Sequence, residues 1–165
     1  MRRSGIGSVL FAALLAGCFP YGFAGGGLPG HVRTVAVLPF DNETSQSEIQ
    51  RDLVVVLRRA IERRLGLRDA SQDRAHAVVR GTILRYDADV PVGFSADPSQ
   101  ATSARRKLQI AVDIEIVDQT TGRTLWSRRS LLAEGEYNEG NETDGRRIAL
   151  EKLVNEVIEG AQSQW

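Results

Sequence analysis

The stretch "KLQIAVDIEIVD", Lys107 to Asp118, alternates without a break. Leu108, Ile110, Val112, Ile114 and Ile116 hold one set of positions, and Lys107, Gln109, Ala111, Asp113 and Glu115 hold the other. A period of two belongs to an extended strand whose successive side chains point to opposite faces. Such a strand buries one face and wets the other, so it belongs to a sheet covered on one side. Any fold for this chain must supply that sheet and something apolar to lay against it.

The neighbouring segments supply both. "DQTTGR" with Gly122 reads as a turn into "TLWSRRSLLAEGEY", a hairpin partner. "AHAVVRGTILRY", residues 75–86, reads as another strand with Gly81 as a candidate bulge. "HVRTVAVLPF", residues 31–40, is apolar or β-branched on both faces from Val35 to Phe40, which implies cover on both sides; Pro39 and "DNET" end it. Ser45 with Glu48 makes a capping-box pattern. The helix that follows, from about Gln46 to Leu65, sets Ile49, Leu53, Leu57, Ile61 and Leu65 along one stripe with arginines between, and Gly66 stops it. A last amphipathic helix runs from about Asp144 to Ser163. The order is β-α-β-β-β-α, with no internal repeat. It predicts an α+β two-layer sandwich, a four-stranded, mostly antiparallel sheet with two helices on one face. The third strand then leaves Lys107, Gln109, Asp113 and Glu115 on the uncovered face.

The N-terminus reads as an address. Met1, Arg2 and Arg3 precede an apolar run from Ile6 to Ala16 that ends in Leu15-Ala16-Gly17-Cys18. A basic start, a short apolar run and small residues at the cut are the layout of a secretory signal, and the run is too short to span a bilayer. L-A-G-C resembles the lipobox of bacterial lipoproteins, in which the cysteine carries diacylglycerol and an acyl chain and becomes the first mature residue. Several acyl chains on one residue anchor firmly, each buried methylene contributing about 0.8 kcal/mol. Cys18 is the chain's single cysteine, so no internal disulfide can form. The division is then 1–17 signal peptide, 18–30 lipidated tether and 31–165 a single domain. Within the tether the glycines of "FPYGFAGGGLPG" lack the strand-to-helix context of a phosphate loop.

Charge and motifs exclude much. Arg2 and Arg3 belong to the leader, so the 21 basic and 21 acidic residues leave the mature chain slightly acidic, which argues against a nucleic-acid partner. His31 and His76 have no spaced co-ligand, so no metal site is read, and no cofactor is implied beyond the lipid. No local catalytic signature is present, so no catalytic residue is assigned and the chain is not read as an enzyme.

Two features could meet a partner. The connector "DADVPVGFSADPSQATSAR" is long, and its centre at Val90, Pro91, Val92, Gly93 and Phe94 is apolar, which fits either disorder or a docking loop. Arg105, Arg106 and Lys107 open the third strand, and Arg128 and Arg129 lie in its hairpin partner. On patterning alone these read as a solvated charge run. Aimed at a ligand, they would bind phosphate through charge-assisted hydrogen bonds.

Taken together, the lipobox, Tyr21-Gly22-Phe23, the glycine-rich spacer, Leu28-Pro29, "HVRTVAVLPFDNET", the arginine-rich helix, "AVVRGTI", "VDIEIVDQTTGRTLW" and the final helix ending in Trp165 resemble the LptE family of lipopolysaccharide-assembly lipoproteins. That resemblance implies an outer-membrane lipoprotein on the periplasmic face that plugs the lumen of the LptD β-barrel and helps place lipopolysaccharide in the outer leaflet. It also implies lipopolysaccharide-binding basic residues on the sheet, for which Arg105, Arg106, Lys107, Arg128 and Arg129 are the positional candidates. "VAVLPFDNET" is also similar to the opening strand of periplasmic lipoproteins of the LpoB and CsgG kind, a synthase activator and a secretion-pore subunit. Those continue with further α/β units, whereas three successive strands follow one helix here, an order that favours LptE.

Overall fold

A computed structural model of the chain describes residues 28–91 and 105–163. In chain order the elements are β1 (Thr34–Val37), β2 (Asp41–Asn42), α1 (Ser47–Ala60) with a π turn at Ile61–Leu65, and β3 (Arg68–Asp69). After a 3-10 turn at Gln72–Arg74 come β4 (Ala77–Pro91), β5 (Arg105–Asp118), β6 (Thr124–Asn138) and α2 (Glu142–Ser163). No helix among the described residues is long and apolar enough to cross a membrane.

Among the described residues the sheet has six strands, ordered β3-β1-β4-β5-β6, with β2 pairing onto β4. The four strands expected from sequence are present, but the four-stranded sheet is corrected by the two-residue strands β2 and β3. Both are too short to carry a period, and what makes them strands is parallel pairing, β2 with β4 and β3 with β1. β1 also pairs parallel with β4, while the long β4–β5 and β5–β6 ladders are antiparallel.

Both helices contribute to one core. Ile49, Leu53 and Leu57 of α1 and Leu153, Val157 and Ile158 of α2 join Leu108, Ile110, Val112, Ile114 and Ile116 of β5 in the same buried cluster. Leu28 packs against that cluster too, so ordered packing begins before His31. On the opposite face of β1, Ala36 forms a small second cluster with Ala75 and Val78. The alternation around Val35 thus has cover on both sides, the second layer coming from the segment that holds the 3-10 turn.

Three local expectations change. The capping box is replaced: the Asn42 side-chain Oδ1 accepts from the Thr44 backbone N–H at 3.0 Å and the Thr44 hydroxyl at 2.8 Å, its side-chain Nδ2 donates to Gln46 O at 3.0 Å, and Glu48 turns to Arg146. Gly81 is not a bulge. It pairs regularly with Ile114, and a side chain there would meet the Asp113 carbonyl and the Phe40 ring, while the register slips lie between Ile83 and Arg85 and between Asp87 and Val90. Those slips absorb the breaks in alternation and let β4 run to Pro91, into the stretch read from sequence as connector, of which 92–104 lie outside the described residues. Proline is tolerated there because β4 has lost its β1 and β2 neighbours by that point and needs no outward N–H. Gly66 ends the π turn as expected, with φ at 67°, a left-handed conformation that glycine adopts without steric cost.

Candidate functional site

The pleat of β5 sends Lys107, Gln109, Asp113 and Glu115 to the face away from the helices, where polar groups lock to neighbouring strands. Lys107 Nζ lies 2.9 Å from Glu134 Oε2, and the Gln109 amide donates to Glu134 Oε1 at 2.6 Å. Gln109 sits directly opposite Glu134, while Lys107 reaches it diagonally, the second-nearest cross-strand position. The hydrogen bond to Glu134 holds the Lys107 ammonium above the usual lysine range, and Lys107 and then Gln109 hold the Glu134 carboxyl below its usual range. Further along, Arg80 of β4 donates to Glu115 at 2.6 Å across a directly opposed pair. Asp113 instead accepts the backbone N–H of Ser130 at 2.7 Å.

The predicted basic residues do not converge. Arg105, Arg106 and Lys107 are consecutive in a strand, so Arg106 points to the opposite face from its neighbours. Arg106 is engaged by Asp89 and, at 3.5 Å, by Glu139, while Arg105 is exposed at the strand's first position. Arg128 and Arg129 lie where β6 slips against β5, Arg128 opposite Ile114. Lys107 and Ile114 are seven residues apart on β5, about 23 Å along the strand. Arg128 and Arg129 are exposed, and among the described residues no carboxylate lies within ion-pair distance of either. Of the apolar connector, Val90 is half-buried and pairs with Lys107, and Pro91 pairs with Arg106; Val92, Phe94 and Cys18 lie outside the described residues.

Two arrangements escape sequence reasoning. Asp118, buried at the end of β5, accepts His31 Nε2 at 2.8 Å, the Thr121 hydroxyl at 2.7 Å and the Thr120 backbone N–H at 2.8 Å. Burial alone would raise its pKa, but the bonds from Thr121, His31 and the backbone outweigh it and hold the carboxyl well below the usual range. His31 stands 87 positions away, so no local motif could join them. The other is a groove between the helices, lined by arginines whose spacing sat in plain view in "RDLVVVLRRAIERRL".

Comparison with known proteins decides the family. A model described as "LptE: Lipopolysaccharide-assembly" matches residues 32–160. The chain belongs to the LptE family. LptE is a non-catalytic family of lipopolysaccharide-assembly lipoproteins, and this chain is read as one of them. No curated protein matches the chain. Among solved structures, the LptE chain is similar to the PelC dodecamer from Paraburkholderia phytofirmans, at 17% identity and TM-score 0.56, covering 84% of this chain and 95% of that one. It is also similar to a putative lipoprotein from Caulobacter crescentus, at 15% identity and TM-score 0.52, covering 76% and 88%. Protein XCC0632 from Xanthomonas campestris matches at 11% identity and TM-score 0.51, covering 83% and 87%. At such identities the likeness is one of fold alone.

Proposed function

We propose that this LptE-family chain is anchored by a lipid on Cys18 to the periplasmic face of the outer membrane, where it plugs an LptD-like β-barrel and assists the assembly of lipopolysaccharide into the outer leaflet. The observation that carries the reading is the family match over nearly the whole described region. The outer face of the β4–β5–β6 meander supports it, because cross-strand pairs such as Arg80–Glu115 and Lys107–Glu134 suit a wet lumen better than a dry protein interface. In this reading the segment around Val90, Pro91, Val92 and Phe94 meets the barrel. Arg105, Arg106, Lys107, Arg128 and Arg129 are the candidates for lipopolysaccharide phosphates, with Arg128 and Arg129 the better placed, since Arg106 and Lys107 already serve carboxylates.

The test is affinity purification of the tagged chain from detergent-solubilised outer membranes. Recovery of a β-barrel in one-to-one ratio is the expected outcome. Recovery of a peptidoglycan synthase or a secretion-pore subunit without a barrel, as for lipoproteins of the LpoB and CsgG kind, would overturn the reading. A ring of identical chains with no barrel would overturn it as well.

A further inference from the structure

α1 and α2 lie side by side over the sheet, and on their solvent side they leave a continuous groove of two adjoining hollows, about 420 and 370 Å³. The two share Val56, Arg59 and Glu151 as lining, and Leu150 and Val154 add buried apolar floor. Arg51, Arg59, Arg63 and Arg64 line the α1 wall. All four are exposed, and none has a carboxylate within ion-pair distance among the described residues; Arg64 donates instead to the Asn155 side chain. The groove's own acids are occupied, Asp52 by Arg146 at 3.6 Å and Glu151 by Arg147 at 3.0 Å. A chain with as many acidic as basic residues thus gathers unpaired cations along one concave strip.

We propose that this groove docks an extended acidic segment of another protein, with carboxylates and one apolar side chain in a defined order. Along α1 and into its π turn the wall repeats every four residues: Arg51, Val55, Arg59, Arg63. Val55, 45% exposed, stands between Arg51 and Arg59 on that wall. Four residues of helix rise about 6 Å, and alternate residues of an extended chain, which share a face, repeat at about 6.8 Å. An extended segment along the groove therefore presents every second side chain to successive wall positions, in the order acid, apolar, acid, acid. Guanidinium groups match carboxylates through paired hydrogen bonds. The strip is a hollow between two helices with a buried apolar floor, which a single extended chain can enter and a flat anionic bilayer cannot fill. The inference does not depend on the barrel reading, since it concerns the opposite layer of the fold.

The probe is a synthetic heptapeptide with glutamate at its first, fifth and seventh positions, leucine at its third and serine elsewhere, titrated onto the full chain in detergent at low salt. The chain is expected to bind it at least tenfold more tightly than the same peptide with glutamine for glutamate, and more weakly as salt rises. Arg59→Glu combined with Arg63→Glu, whose denaturation midpoint is measured alongside, is expected to lose binding at least tenfold, and Arg59→Lys with Arg63→Lys to lose less, since it keeps the charge but not the paired hydrogen bonds. Equal affinity for the glutamate and glutamine peptides would overturn the proposal, and so would undiminished binding by a folded charge-reversed variant. Binding of anionic phospholipid vesicles without the peptide would overturn it in favour of a membrane.

Discussion

The indole of Trp126 packs against Gly160 so closely that a Cβ at residue 160 would stand 2.3 Å from its Nε1. At the other end of the same contact, a Cβ at Gly135 would come within 1.9 Å of the Gly145 carbonyl oxygen. α2 is seated on β6 by these two glycine approaches, one against a buried ring and one backbone to backbone.

Gly160→Ala should therefore destabilise the fold, although alanine in a helix interior is ordinarily favoured by about 1 kcal/mol. Forcing the methyl against a buried ring costs about 1–3 kcal/mol, which exceeds that gain. Gly135→Ala should cost more, because the obstacle is backbone and cannot rotate away. Urea denaturation of both variants checks this, and a raised midpoint for Gly160→Ala would contradict the close approach.

Asp118 should make stability depend on acid. Its folded-state carboxyl is held below the ordinary carboxylate range, so folding favours the charged form. That contribution is complete above the unfolded carboxyl's pKa and is lost as pH falls through and below it. Asp118→Asn turns an amide donor toward N–H and O–H groups and should cost about 1–3 kcal/mol at neutral pH. Denaturant midpoints of wild type and variant should converge on acidification; a gap of constant size from pH 7 to pH 3 would show that the charge is not what matters.

Ser130 holds φ at 48°, the one positive value among the described non-glycine residues. An L-residue there carries about 1–2 kcal/mol of steric cost, and the Asp113 carboxylate on its N–H helps retain it. Ser130→Gly is expected to match or exceed wild-type stability within about 1 kcal/mol, since glycine's added chain entropy offsets part of the relief. Ser130→Val should fall by more than about 1 kcal/mol. The denaturation midpoints of the pair decide it.

Charge reversal should separate the basic residues by role. Arg128→Glu with Arg129→Glu removes exposed groups and is expected to leave stability within about 0.5 kcal/mol while weakening lipopolysaccharide retention several-fold. Arg106→Glu would instead face Asp89 and Glu139, and should lower the denaturation midpoint. Parallel measurement of lipopolysaccharide binding and unfolding distinguishes them, and unchanged binding in the double variant would remove Arg128 and Arg129 from the site.

What was legible in the sequence follows from how far each signal reaches. The alternation from Lys107 to Ile116 is dictated by burial of one face, so the strand and both its faces could be read from residues alone. The bulge at Ser130 could not, because "SRRS" contains no glycine and its support comes from Asp113, seventeen positions away. β2 and β3 owe their existence to pairing with distant strands. The run Arg105-Arg106-Lys107 looked like a cluster only because adjacency in a chain is not adjacency on a pleated sheet. Arg51, Arg59 and Arg63 are dispersed in the chain but aligned by the helix. The family likeness carried more than any single motif, since it drew on the order of all the elements together.

β6 closes one end of the strand order, leaving one side of a fifteen-residue strand without a sheet partner among the described residues. A straight, apolar strand in that place would be a template for pairing with another copy, the route by which sheet proteins precipitate. The slip at Arg128 to Ser130 breaks the edge into shorter halves and sets two like charges at the break. The same irregularity that shapes the candidate binding surface therefore also guards the chain against self-aggregation.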